Sequence, residues 1–135
     1  MGTPSRDIPT VCVVDDDEAV RDSLYLLLEM RGFAVRTFDS AKAFLAEDQC
    51  IDCGCLLVDM HMPEMTGLAL LDRLRTSGDL PPAIMISGAG DKNLAEQAQR
   101  AGALGLLKKP VSEDELFDYL NRALGDAGRS SSAPV

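Results

Sequence analysis

An α/β fold, a doubly wound five-stranded parallel sheet with five helices, is what this sequence predicts, on three observations. Short apolar bursts recur between polar turns, and segments with helical apolar spacing lie between them. Three of the bursts are nearly continuous runs of Val, Ile, Leu, Met or Cys, as parallel strands covered on both faces require. Strict alternation of strand and helix implies right-handed crossovers, hence helices on both faces of one sheet.

The strands are expected at Thr10 to Val14, Ala34 to Phe38, Gly54 to Val58, Ala83 to Ile86 and Gly105 to Leu107. After the first, Val20, Leu24, Leu27 and Leu28 recur at i, i+4, i+7 and i+8, which places them on one face of a helix ending near Gly32. Ser40 is a candidate N-cap for a second helix over Ala41 to Glu47, its hydroxyl accepting a free backbone N–H. Leu68, Leu71 and Leu74 mark a third helix, and Leu94, Ala98 and Ala101 a weakly apolar, loosely held fourth. A fifth starts at Ser112, with Glu115 three positions on as in a capping box, and runs through Leu116, Leu120 and Leu124.

With 135 residues and 46% hydrophobic content, the chain supports one compact core, so one domain over residues 10–124 is expected. Residues 1–9 read as a flexible N-terminus. Residues 125–135, rich in Gly, Ala, Ser and Pro, read as a tail or linker that cannot bury enough apolar surface to order itself. A net charge of -9 disfavours direct nucleic-acid binding and anionic membranes. No apolar run approaches the roughly 20 residues that span a bilayer, and Met1 to Pro9 lacks a signal-peptide pattern, so a cytoplasmic location is expected. Of the four cysteines, Cys50, Cys53 and Cys55 cluster ahead of His61, but the spacing is poor for zinc and reduced, mostly buried thiols are expected instead.

Ligand sites of such sheets lie beyond the carboxyl ends of the strands. There the sequence places Asp15, Asp16, Asp17 and Glu18 after strand one, Asp59 after strand three, Ser87 after strand four, and Lys108, Lys109 and Pro110 after strand five. Carboxylates crowded together stay ionised only with a cation among them, and a small set of hard oxygen ligands favours magnesium over calcium. Asp17 and Glu18 are read simply as helix-starting residues that complement the dipole. Asp59, a lone carboxylate at the end of a buried strand, calls for a functional reason, such as forming an aspartyl phosphate. Lys109 and Ser87 would then face the phosphoryl oxygens.

The stretches Val13-Val14-Asp15-Asp16-Asp17, Leu57-Val58-Asp59-Met60-His61-Met62-Pro63-Glu64-Met65-Thr66-Gly67, Ile86-Ser87-Gly88 and Lys109-Pro110 carry a resemblance. In order and spacing they resemble a two-component response-regulator receiver domain, over roughly Val11 to Leu124. The resemblance implies a flavodoxin-like strand order 2-1-3-4-5 and phosphorylation of Asp59, without activity beyond self-phosphorylation from a phosphodonor and self-dephosphorylation. It puts Mg2+ on Asp16 and Asp59 directly, on Asp15 through water, and on the backbone carbonyl of His61, and it makes the Lys109–Pro110 peptide cis. Residues at His61 and Ala89 tune phosphate lifetime in similar domains. Pro63 is expected to fix a turn, and Gly67 to supply backbone freedom at a helix start.

The switch implied by the resemblance draws Ser87 toward the phosphoryl group and reshapes the surface of helix 4, strand 5 and helix 5, near Tyr119 and Arg122. Leu106 stands where such domains carry a switching aromatic residue, a departure that removes the ring but not the chemistry. The implied partners are a sensor histidine kinase or phosphotransfer protein and a second copy bound through helix 4, strand 5 and helix 5. The pattern Ser87-Gly88-Ala89-Gly90-Asp91 resembles receivers that precede a helix-turn-helix transcription module, so either a DNA-binding output domain is missing or the receiver is free-standing. The alternatives are a pseudo-receiver acting as a constitutive interaction domain, against which Asp15, Asp16, Asp59, Ser87 and Lys109 argue, a flavin-binding domain, whose phosphate the acidic loop would repel, and an Asp59-dependent hydrolase, which lacks a second acid two residues on.

Overall fold

The computed structural model describes residues 10–47, 53–88 and 93–124. Ten elements alternate: β1 Thr10–Val14, α1 Glu18–Met30, β2 Ala34–Phe38, α2 Ala41–Glu47, β3 Cys53–Asp59, α3 Gly67–Ser77, β4 Ala83–Ser87, α4 Leu94–Arg100, β5 Gly105–Lys108 and α5 Glu113–Ala123. The strands form one parallel sheet in the order β2-β1-β3-β4-β5, as expected.

The two-residue period of a strand divides the core into two layers. Cys12, Val14, Leu56, Val58 and Met85 face Phe44 of α2, Leu70, Leu71 and Leu74 of α3, and Leu94 and Ala98 of α4. Val11, Val13, Cys55, Leu57, Ile84, Ile86 and Leu107 face Leu24 and Leu28 of α1 and Leu116 and Leu120 of α5. Both faces are therefore covered, the reason β1, β3 and β4 are almost wholly apolar.

The strand ends are longer than the sequence suggests. Pairing of Asp59 with Ile86 and of Ser87 with Lys108 carries these polar residues into the ladder. Local chemistry accounts for most helix boundaries. Gly32 leaves α1 with φ +94, a conformation glycine adopts without a Cβ penalty. Ser40 Oγ accepts from Ala43 N at 3.1 Å, and Ser112 Oγ from Glu115 N at 3.3 Å, so both predicted caps form. Cys12, Cys53 and Cys55 are reduced thiols, while Cys50 lies outside the described residues, as do the predicted flexible N-terminus and tail. The Cys53 thiol and then burial hold Cys12 far above the ordinary thiol range, and burial pushes Cys55 up to about 12.

Candidate functional site

Parallel pairing aligns the carboxyl ends of β1, β3 and β4, and the polar residues gather there. Asp15 follows β1, Asp59 ends β3, and both are buried, as is Ser87 at the end of β4. Asp16 is exposed beside them, and carboxylate oxygens of Asp15, Asp16 and Asp59 lie within 4.8 Å of one another. Lys109 enters from beyond β5, its Nζ 3.3 Å from Asp15 Oδ2 and 3.5 Å from Asp59 Oδ2. An open cleft lined by Asp16, Asp17, Asp59, His61, Gly88 and Lys109 gives access to the group.

Asp17 and Glu18 start α1, as expected of helix-opening acids. Asp17 caps α1, its Oδ1 accepting from Ala19 N at 2.9 Å and Val20 N at 3.4 Å, and Glu18 sits in the first turn. Asp15 Oδ1 accepts from Asp17 N at 2.8 Å, which turns the chain and leaves Oδ2 to face Lys109. That buried Oδ2 has no hydrogen-bond partner, so its 3.3 Å contact with Lys109 is an ion pair without hydrogen-bond geometry.

One ammonium among three carboxylates leaves the group short of positive charge, and an isolated buried carboxylate is costly. Burial pushes the Asp59 carboxyl up to about 6; the His61 amide donating to its Oδ1 at 3.2 Å pulls it down, Asp15 raises it and Lys109 lowers it. Burial pulls Lys109 down, but Asp15 and Asp59 outweigh it and the net direction is upward. An orphaned buried carboxylate oxygen, two further carboxylates within reach and a cleft open to water fit a hard divalent cation.

The remaining expectations fall on both sides of the group. The Lys109–Pro110 peptide is cis. Lys108, at the end of β5, is exposed. The His61 side chain is an exposed rim residue, and Ala89, Gly90 and Asp91 lie outside the described residues. Leu106 is half-buried on β5 against the same cluster as Leu94 and Ala98. Tyr119 and Arg122 of α5 lie near the same edge, with the guanidinium 5.4 Å from the Tyr119 ring centre.

Gly67 corrects an expectation. Its role is close approach, not backbone freedom: a Cβ there would collide with the Asp59 carbonyl oxygen and stand 3.0 Å from Met85 Cε. Gly67 N donates to Met60 O at 3.1 Å, so the start of α3 rests on the chain just after Asp59. Two further residues were not singled out from the sequence. Glu64 holds a left-handed φ of 72, and its Oε1 lies 3.4 Å from Lys42 Nζ. Arg21 Nη1 donates to Asp15 O at 2.7 Å; the signal available was a cation one turn into a helix begun by acids.

A parallel β2-β1-β3-β4-β5 sheet with an acid triad and a lysine at its carboxyl edge defines a phosphoacceptor signalling domain of the two-component type. Comparison with known families bears this out: residues 11–121 match the response regulator receiver domain, and the chain belongs to that family. It is 41% identical over 127 residues to the C4-dicarboxylate transport transcriptional regulatory protein DctR of Rhodobacter capsulatus, covering 92% of this chain and 64% of that protein. It is 43% identical over 117 residues to the transcriptional regulatory protein FixJ of Rhizobium meliloti, covering 84% and 56%. The chain thus spans less than two thirds of either relative. The crystal structure titled FixJ-N superposes with a TM-score of 0.79 at 41% identity, covering 85% of this chain and 92% of that one. The chain is a receiver domain of a two-component system, a phosphoacceptor switch whose family works with histidine kinases. Among the described residues no helix is long and apolar enough to cross a membrane.

Proposed function

We propose that Asp59 is the phosphoacceptor, that Asp15, Asp16, Asp59 and the backbone carbonyl of His61 hold Mg2+, and that Lys109 and Ser87 receive the phosphoryl oxygens. The observation that carries this reading is the buried Asp15 Oδ2, which has no hydrogen-bond partner and shares one lysine, Lys109, with Asp59. An Asp59 carboxylate oxygen bonds to phosphorus while the bond from phosphorus to the donor's nitrogen or oxygen breaks, the leaving group keeping the electron pair. Bound magnesium supplies positive charge to a pocket otherwise too acidic to admit a phosphoryl group. Lys109 contributes a point charge at the same place and is kept protonated by the two acids it touches.

Ser87 and Leu106 form the switch in this reading. The phosphoryl group gives the Ser87 hydroxyl a new acceptor, which draws the end of β4 toward Asp59. Leu106, paired with Met85 and packed among Leu94 and Ala98, repacks in response, and the α4, β5 and α5 surface changes shape without an aromatic swing. The donor is a sensor histidine kinase or a phosphotransfer protein in the cytoplasm. The domain catalyses nothing beyond its own phosphorylation and dephosphorylation. Similarity to two transcriptional regulatory proteins supports reading it as the receiver part of such a regulator, with pairing through α4, β5 and α5 as its output.

Intact mass after incubation with acetyl phosphate and Mg2+ tests the proposal. One phosphoryl group should appear on the wild type, and none on Asp59→Asn or after chelation. No gain on the wild type, even from a phosphorylated histidine donor, would favour the pseudo-receiver reading.

A further inference from the structure

Arg21 projects from the first turn and a half of α1 and is half-buried. Its Nη1 donates a 2.7 Å hydrogen bond to the Asp15 carbonyl oxygen. That carbonyl belongs to the planar peptide joining Asp15 to Asp16, so its orientation sets how both side chains leave the backbone. The flanking links are separate: Asp15 N donates to Phe38 O at 3.1 Å, and Asp17 N donates to Asp15 Oδ1 at 2.8 Å. Arg21 holds the peptide between them. The capping Asp17 and the helix acids Glu18 and Asp22 offer the guanidinium nearer partners in sequence, yet its described bond is to the carbonyl.

We infer that Arg21 is a positioning residue for the cation site, orienting the Asp15–Asp16 peptide so that both carboxylates meet Asp59, while touching no metal ligand atom itself. The inference rests on the magnesium-dependent reading given above.

Removing the guanidinium has two opposed effects on cation binding. Coulomb attraction alone says that deleting a positive charge near three carboxylates strengthens binding, but at a partly exposed position that gain is small. Freeing the peptide acts the other way, because a loose ligand pair must be ordered when the ion binds, and outer-shell hydrogen bonds at metal sites are worth tenfold or more in affinity. Positioning therefore outweighs charge, and the sign of the change separates the two.

The test is titration of MgCl2 into wild type, Arg21→Gln and Arg21→Lys at fixed ionic strength, followed by backbone amide NMR shifts, with metal-free melting temperatures measured alongside. Arg21→Gln should bind magnesium on the order of tenfold more weakly. Arg21→Lys, which keeps charge and a donor, should recover part of the loss. At saturating magnesium, phosphorylation of Arg21→Gln by acetyl phosphate should return to the wild-type rate. Equal or tighter binding by Arg21→Gln, with or without a lower melting temperature, would overturn the inference, since Arg21 would then be background charge or a helix-stabilising residue. A rate that stays low at saturating metal would also overturn it by placing Arg21 on the reaction itself. Failure of the wild type to bind magnesium would remove the metal reading first and this inference with it.

Discussion

The backbone of Gly67 lies against the carbonyl of Asp59 so closely that no side chain fits between them. The start of α3 is thereby seated on the end of β3, and the position of Asp59 depends on a residue with no side chain.

Gly67→Ala should therefore destabilise the domain by about 1–3 kcal/mol, the usual cost of forcing a methyl group into a filled site. The obstacle is main chain, which has no rotamer to escape into. Urea unfolding should show a lower midpoint at unchanged slope, and phosphorylation of the folded variant should slow because Asp59 has moved.

A second glycine meets a movable obstacle. A Cβ at Gly105 would strike the Tyr119 ring, which lies across the strand from α5. Gly105→Ala should destabilise the wild type but cost much less in a Tyr119→Ala background. A coupling of about 0.5–3 kcal/mol in the double-mutant cycle is the expected result, and additive effects would show that the ring moves aside freely.

The metal-free protein should lose stability as pH rises from 4 to 6. Asp59 binds its proton more tightly folded, at about 6, than at its ordinary 3.8, because burial penalises the charged form. Its contribution is complete below the lower value and gone above the higher one. Denaturant midpoints in chelator across this range should decline, and Asp59→Asn should flatten that part of the profile. Lys109, shifted upward from 10.5, titrates outside the window.

Lys109→Met and Lys108→Met should part sharply. Lys109 touches both buried acids, whereas Lys108 is exposed at the end of β5. Phosphorylation from acetyl phosphate should fall roughly a hundredfold for Lys109→Met, the scale of losing one well-placed donor. Lys108→Met should stay near wild type.

These predictions draw unequally on sequence and structure. Strands were readable because burial on both faces demands unbroken apolar runs, and the caps at Ser40 and Ser112 because capping is local. Asp59 stood out as a charge ending the run Cys55 to Val58. Contacts between distant elements were not readable: nothing in the sequence brings Tyr119 onto Gly105, or assigns Gly67 to tight packing in place of backbone freedom. Arg21 was missed for the same reason, since its partner is a carbonyl, and every residue carries one.

The helices also differ in how they begin. Asp17, Thr66 and Ser112 each cap a helix with a side-chain oxygen, while Asn93 makes no such bond at the head of α4. A missing cap costs about 1 kcal/mol, so α4, seven residues long with Leu94 and Ala98 buried, depends on its packing to stay wound. It follows β4 and Ser87 in the chain. Mechanically, the pull on Ser87 in the proposed switch would meet next a helix whose first turn no side-chain cap pins.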